Sequence, residues 1–261
     1  MISLTSVEIN AWIVAFFFPL ARVLAVLVSA PPFNNPALTV RIRLILGLAI
    51  TLAIAPALPP MPAVDPASGA GLLILAQQML IGFAMGFAIR LVLAAVDLAG
   101  SMISLQMGLG FATAYDPLTA GQTGVVSEFL GLLALLIFVA INGHLMVIAT
   151  LAHSFTAIPV GAGLPETGSW WQLARSGALI FSSGLLLALP ILVALLVTNL
   201  ALAILSRAAP QLNLIVIGFP LTITLGFAGL VFGLSYLSQP MQQIFEYGLQ
   251  AMLGNFSPAA P

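Results

Sequence analysis

Charged residues are so sparse along this chain that they act as fences between long apolar stretches. An apolar stretch between Glu8 and Arg41 is interrupted by Arg22, Asn34 and Asn35. Arg43 to Asp65 encloses 21 uncharged residues and ends in Pro56, Pro59, Pro60 and Pro62. Leu72 to Ile89 is an 18-residue run closed by Arg90. Leu98 to Tyr115 is uncharged but rich in Gly and polar groups. Glu128 to Glu166 encloses 37 residues with a polar Asn142-Gly143-His144 in the middle. Arg175 to Arg207 encloses 31, and Arg207 to Glu246 encloses 38. A helix needs about 20 mostly apolar residues to cross a bilayer, so the pattern predicts about six or seven helical segments.

A β-barrel is the other way to satisfy backbone groups in lipid. It would show strand-length alternation of apolar and polar residues. Runs such as Leu185 to Leu189 show none, so the expected fold is all-α, a polytopic membrane-type protein. The N-terminus has no basic stretch ahead of its first apolar segment, so that segment is expected to stay in the mature protein.

Arg41, Arg43 and Arg90 flank a Pro-rich loop (residues 59–71) whose one charge is Asp65. This fits Arg41, Arg43 and Arg90 facing the cytoplasm. Arg175 and Arg207 break that rule, because they flank a single apolar stretch. Either one of them is a buried charge, or the segment does not cross the bilayer conventionally. Pro19, Pro190 and Pro220 lie inside apolar segments, where each removes a helix hydrogen bond and bends the axis. Gly82/Gly86 and Gly229/Gly233 form small-xxx-small pairs that let helices approach closely. Bent, tightly packed helical hairpins are expected more than straight lipid-exposed rods.

Composition sharpens the class. Hydrophobic residues make up 61% of 261 positions and charged ones 5%, against roughly 25% charged in a soluble domain. Mean hydropathy is +1.19. Six Arg and seven acids cannot clothe a soluble globule of this size. Disorder is excluded by the same figures. All six basic residues are Arg, which removes the P-loop lysine and Schiff-base lysine chemistries. No Cys is present, which removes thiolate catalysis and Cys-based metal sites. A net charge of −1 offers no basic surface for nucleic acid.

Few residues are placed for chemistry. His144 and His153 are nine apart, not at the spacing of helical metal ligands. No Gly-x-Ser-x-Gly occurs. We expect no enzyme activity, no cofactor and no metal. Asp97, Asp116 and Glu128 lie in or beside apolar stretches, where ionisable residues are costly and point to function. Arg90 and Asp97 are seven apart and share a helix face over two turns. An ion pair, internal or between subunits, is favoured there over a proton relay.

The segment LQMGLGFATAYDP (105–117) is different in kind. It starts helix-like, breaks at Gly108 and Gly110, and ends in the turn signal Asp116-Pro117. Irregular backbone at membrane depth is tolerated where it is buried in protein or lines a cavity. The alternative is an ordinary connection outside the membrane, which the polar residues 119–124 also fit.

That segment resembles the matching stretch of the FliR family of flagellar type III export-gate subunits. So do NGHL (142–145), SRAAPQLNLIVIGFPL (206–221) and PLARVLAVLVSAPPF (19–33), in the same order and over essentially the whole chain. The injectisome SctT branch shares the architecture, but 105–117 is closer to the flagellar branch. The resemblance implies a FliP-like part (1–174) followed by a FliQ-like helical hairpin (175–261), packed in a helical hetero-oligomer with FliP and FliQ. FlhB and FlhA would join it, and unfolded flagellar proteins would be exported through it. The location implied is the bacterial inner membrane, at the flagellar basal body, in contact with lipid. Residues 106–122 would form the plug of the closed pore, with Gln106, Met107, Gly108, Gly110, Phe111, Tyr115, Asp116 and Pro117 in it. Arg207, Pro210, Gln211 and Asn213 would form the turn of the hairpin, at the cytoplasmic entrance where FlhB contacts the gate. The rival from another class is a proton-coupled secondary transporter, which predicts an inverted repeat and a partnered midplane acid; no clear repeat is visible.

Overall fold

The computed structural model describes residues 6–110, 124–209 and 214–254, and the described residues contain helices and no strand. The fold is all-α. In chain order the helices are α1 (Ser6–Ser29), α2 (Val40–Ile54), a short 3-10 turn (Ala55–Ala57), α3 (Gly69–Gln106), α4 (Val125–Ala140), α5 (Gly143–Ala157), α6 (Thr167–Ser176), α7 (Ala178–Ala208) and α8 (Leu214–Gly254). Among the described residues four helical stretches are long and apolar enough to cross a membrane, or five if α4 and α5 count as one bent span. The fences suggest six or seven helical segments, and one fence does not hold as a boundary. The stretch before Arg41 contains one long helix, α1. The runs on either side of Arg90 fuse into the single 38-residue α3.

Several sequence signals have clear local causes. α2 ends where Pro56 and the following proline run cannot continue it. α4 and α5 meet at a 65° bend centred on Asn142, whose backbone is left-handed at φ 57°. Asn tolerates that conformation better than most residues. Pro19 lies inside α1, Pro190 inside α7, and Pro220 and Pro240 inside α8.

The chain divides into two compact units that interleave along the sequence: residues 1–91, 142–176 and 246–261 form one, and residues 92–141 and 177–245 the other. In the first unit α1, α3 and α5 bury Phe18, Val26, Leu27, Ile81, Met85, Ile89 and Phe155. Gly82 and Gly86 let α3 lie against α1. A Cβ on Gly82 would sit 2.5 Å from the Arg22 carbonyl oxygen, and one on Gly86 would collide with the Ser29 hydroxyl. In the second unit Gly100 of α3 meets the Ser127 backbone of α4. Ser127 Oγ donates to the Asp97 carbonyl at 3.1 Å. Ile191 of α7 packs toward Gly229 of α8, 3.5 Å from where a Cβ would lie. Phe138 and Phe245 rings stand 5.0 Å apart.

Helix length and burial differ among the long helices. At 1.5 Å per residue α3 is about 57 Å long and α8 about 61 Å, against a hydrocarbon layer of about 30 Å. In α3 61% of the most apolar window is buried, against 28% in the 167–208 stretch and 17% in 217–254. The two C-terminal helices therefore turn much of their apolar surface outward, including Leu186, Val193, Val197, Leu200 and Phe232.

Candidate functional site

The break after α3 is built as a helix cap. The Gly108 N–H donates to the Leu105 carbonyl at 3.0 Å, and the Leu109 N–H donates to the Ser104 carbonyl at 3.0 Å. This pair of bonds, with a left-handed residue between, is a Schellman ending, and it occupies carbonyls that the helix would otherwise leave unpaired. Gly108 supplies the left-handed backbone at φ 86°, which costs glycine nothing. The stop that the sequence places at Gly108 is thus a defined turn.

One face of α8 receives this cap. Phe219, Thr222 and Gly226 are spaced so that they share that face. The Phe219 ring lies against Gly108, where a Cβ would come within 2.7 Å of it. The Thr222 hydroxyl donates to the Met107 carbonyl at 3.0 Å, and this bond is buried. The Met107 side chain, fully buried, occupies the space above Gly226, where a Cβ would come within 2.6 Å of its sulfur. Beside this contact lies a cavity of about 420 Å³, lined by Gln106, Gly108, Phe219 and Thr222 on one side and by Asn199 and Ser206 of α7 on the other. Of the residues expected in the plug, Gln106 ends α3, and Met107, Gly108 and Gly110 follow it. Phe111, Tyr115, Asp116 and Pro117 lie outside the described residues.

The other expected sites are less gathered. Arg90 and Asp97 are both exposed on α3. Seven residues separate them by about 10.5 Å along the axis, so their helix does not itself bring them together. Arg207 is exposed in the last turn of α7, where a cation complements the helix dipole. Pro210, Gln211 and Asn213 lie outside the described residues. Arg175 is also exposed, 5.3 Å over the Trp171 ring. Neither Arg175 nor Arg207 is a buried charge. At about 46 Å, α7 is long enough to hold both ends outside a hydrocarbon layer.

The buried charge is Arg22, which the sequence reading passes over. It is fully buried in the first unit. Its Nε donates to Gln78 Oε1 at 2.8 Å. Nη1 donates to the carbonyl and hydroxyl of Ser154 at 2.9 and 3.0 Å. Nη2 donates to the Ile158 carbonyl at 2.9 Å, and the guanidinium lies 4.3 Å from the Phe155 ring centre. The arginine therefore caps the C-terminus of α5 from within. One signal could have found it: a lone Arg deep in an apolar helix, with no acid a turn away.

Among the described residues no group of three or more His, Cys, Asp or Glu could hold a metal ion. His144 Nδ1 is buried without a hydrogen-bond partner there.

Known proteins place these features in a family. The model of bacterial export proteins, family 1, matches residues 13–248. The flagellar biosynthetic protein FliR of Pectobacterium carotovorum subsp. carotovorum is 45% identical over 226 residues, covering 87% of this chain and 86% of the relative. Its counterpart in Escherichia coli K12 is 43% identical over 228 residues, 87% of each chain. The FliR of Bacillus subtilis 168 is 30% identical over 179 residues, 67% of this chain and 69% of the relative. With a family model matched over most of its length and relatives at these identities, the chain belongs to the FliR family of bacterial export proteins.

Proposed function

We propose that this chain is a channel-forming subunit of the flagellar type III protein export gate, in the bacterial inner membrane at the flagellar basal body. It assembles with FliP and FliQ, meets FlhB and FlhA, and passes unfolded flagellar proteins outward. The chain itself carries out no catalysis. The observation that carries this reading is the family match over residues 13–248, with relatives named flagellar biosynthetic proteins. Residues 1–174 act as the FliP-like part and 175–261 as the FliQ-like hairpin. The turn containing Arg207, Pro210, Gln211 and Asn213 contacts a partner at the cytoplasmic side. Arg90 and Asp97, exposed and separate on α3, pair across a subunit boundary.

Two structural facts support an assembly. α3 and α8 are about twice as long as the hydrocarbon layer is thick. Exposed apolar side chains run along both α7 and α8, including Leu186, Val197 and Phe232. Residues 106–122 plug the closed pore, and the glycine cap at 108 supports that role because it ends the helix abruptly at the plug's root. The transporter alternative draws no support from its candidate acids, since Asp97 and Glu128 are both exposed.

Co-purification tests the reading. A tagged chain extracted from its native membrane in mild detergent should bring FliP and FliQ with it. Recovery of the tagged chain alone would overturn the assembly.

A further inference from the structure

We infer that the outer side of α1 and α3 binds one acyl chain of a membrane phospholipid, with the lipid phosphate at the level of Arg41. The site depends only on these helices standing in a membrane, not on the export-gate reading. It is a slot of about 310 Å³ in the first unit, lined by apolar side chains alone. α1 supplies Phe17, Ala21, Leu24 and Val28, and α3 supplies Met79 and Phe83. Phe17, Val28, Met79 and Phe83 are exposed.

The slot follows from how the two helices pack. Gly82 of α3 lies against the Arg22 carbonyl and Ala25 of α1, and Gly86 lies against Ser29. The helices therefore run side by side in the same direction. Small residues at the seam let them touch, and Ala21 and Ala25 leave a low floor between larger neighbours.

Length and width select the occupant. From Phe17 to Val28 is about 16.5 Å along α1. Half of the hydrocarbon layer is about 15 Å, the depth that one acyl chain crosses. A neighbouring helix is about 10 Å across and would not enter a slot of this volume. A flexible acyl chain would, and the Met79 thioether adapts to a mobile guest. Charge lies where a headgroup would. A Cβ on Gly47 of α2 would meet the Leu24 side chain, and Arg43 Nε donates to the Phe33 carbonyl at 3.1 Å. α2 therefore runs antiparallel to α1. Arg41 then stands about 9 Å past the level of Leu24, against about 6 Å for Val28, just beyond the end of the slot. Arg43 is committed to the Phe33, Asn35 and Leu38 carbonyls. Arg41 is exposed and is the cation that meets the phosphate, since basic residues at the membrane surface attract anionic headgroups.

The test uses the complete gate, reconstituted in vesicles of phosphatidylethanolamine and phosphatidylglycerol. The vesicles are doped with a phosphatidylglycerol that carries a diazirine on one acyl chain. After irradiation, mass spectrometry measures the adducts on each peptide, and co-purified FliP and FliQ report assembly. Adducts on residues 17–28 and 79–83 should exceed several-fold those around Leu52, an exposed apolar residue of α2 outside the slot. Ala21→Phe and, separately, Met79→Trp fill the slot and should reduce its adducts several-fold, with those at Leu52 unchanged. Arg41→Gln should also reduce the slot adducts; no reduction would overturn the headgroup assignment. Equal adducts at the slot and at Leu52 would mean bulk lipid alone and overturn the proposal. A slot without adducts beside a labelled Leu52 would mean that a neighbouring subunit covers it, which overturns the proposal as well. Undiminished slot adducts in assembled Ala21→Phe or Met79→Trp would do the same. The comparison with Leu52 in the parent needs no variant, so the proposal can fail even if the variants do not assemble. Recovery of FliP and FliQ is scored separately, so a failed lipid site leaves the assembly reading standing.

Discussion

Arg22 and Ser154 are joined twice, because one guanidinium nitrogen donates to both the carbonyl and the hydroxyl of the serine, at 2.9 and 3.0 Å. With the further bond to Ile158, a cation sits at the C-terminal end of α5, where four carbonyls have no helical partner and the helix dipole is negative. Burying a charge without a counter-ion is expensive. The carbonyls, Gln78 and the Phe155 ring offset that cost.

Replacing Arg22 by Met should therefore be severe. It leaves the Gln78 Oε1 and the Ile158 carbonyl without that donor, at about 1–3 kcal/mol for each unsatisfied group, while the Ser154 carbonyl keeps the Ile158 N–H. A total loss of about 3–5 kcal/mol of stability is expected. Arg22→Lys should recover little, because an ammonium cannot span the four acceptors on three residues that the guanidinium reaches. The measurement is the temperature at which the detergent-solubilised protein aggregates. A Met variant that aggregates at the parental temperature would show that the buried arginine does not stabilise the first unit.

The contrast between Arg22 and the glycines explains what could be read in advance. Helical class and membrane character follow from long apolar runs without alternation. The close approach at Gly82 and Gly86 is visible because residues four apart lie on one face whatever the tertiary structure. The stop at Gly108 is visible because a helix ending needs a left-handed residue and glycine is the one that takes it freely. Arg22 is not visible in that way. Its partners lie 56 to 136 positions away, and two of them are backbone carbonyls, which have no residue type. Thr222 is hidden for a related reason. A hydroxyl on an apolar helix ordinarily bonds to its own backbone, as Thr224 does to Pro220, and nothing local distinguishes the one that reaches across to Met107. One boundary is misleading, because a charge need not end a helix. An exposed Arg90 in mid-helix interrupts the apolar pattern without interrupting α3.

The glycine faces give a prediction with a built-in control. Gly82→Ala puts a methyl 2.5 Å from the Arg22 carbonyl, which is backbone and cannot swing aside. Separation of α1 from α3 should cost about 1–3 kcal/mol. Gly69→Ala, at the start of the same helix, meets nothing within 4 Å. It should be neutral or gain about 0.4–1 kcal/mol through the unfolded chain. Thermal aggregation of the two variants should move in opposite directions, or at minimum differ clearly. Equal behaviour would mean that the α1–α3 approach is looser than described.

Gly108 should resist substitution for two independent reasons. Any side chain must adopt the left-handed backbone, at about 1–2 kcal/mol, and its Cβ meets the Phe219 ring. Gly108→Ala should therefore destabilise the second unit. Phe219→Ala combined with it should relieve the clash but not the backbone penalty. A double variant no better than the single one would assign the whole effect to backbone strain; a full rescue would assign it to the ring.

The outward apolar face of α7 offers the sharpest separation of lipid from protein. At about 46 Å the helix is longer than the hydrocarbon layer, so part of its exposed Leu186, Val193, Val197, Leu200 and Ile204 surface needs another cover. If subunits cover it, a bulky apolar side chain should be tolerated by the membrane and rejected by the interface, since close-packed contacts do not accept added volume. Val197→Trp should then remain in the membrane fraction at the parental level while losing co-purified FliP and FliQ. Were the face covered by lipid, the tryptophan would be accommodated and the partners would be recovered undiminished. Repeating the substitution at Val193, Leu200 and Ile204 would locate along α7 the point where lipid contact gives way to contact with neighbouring subunits.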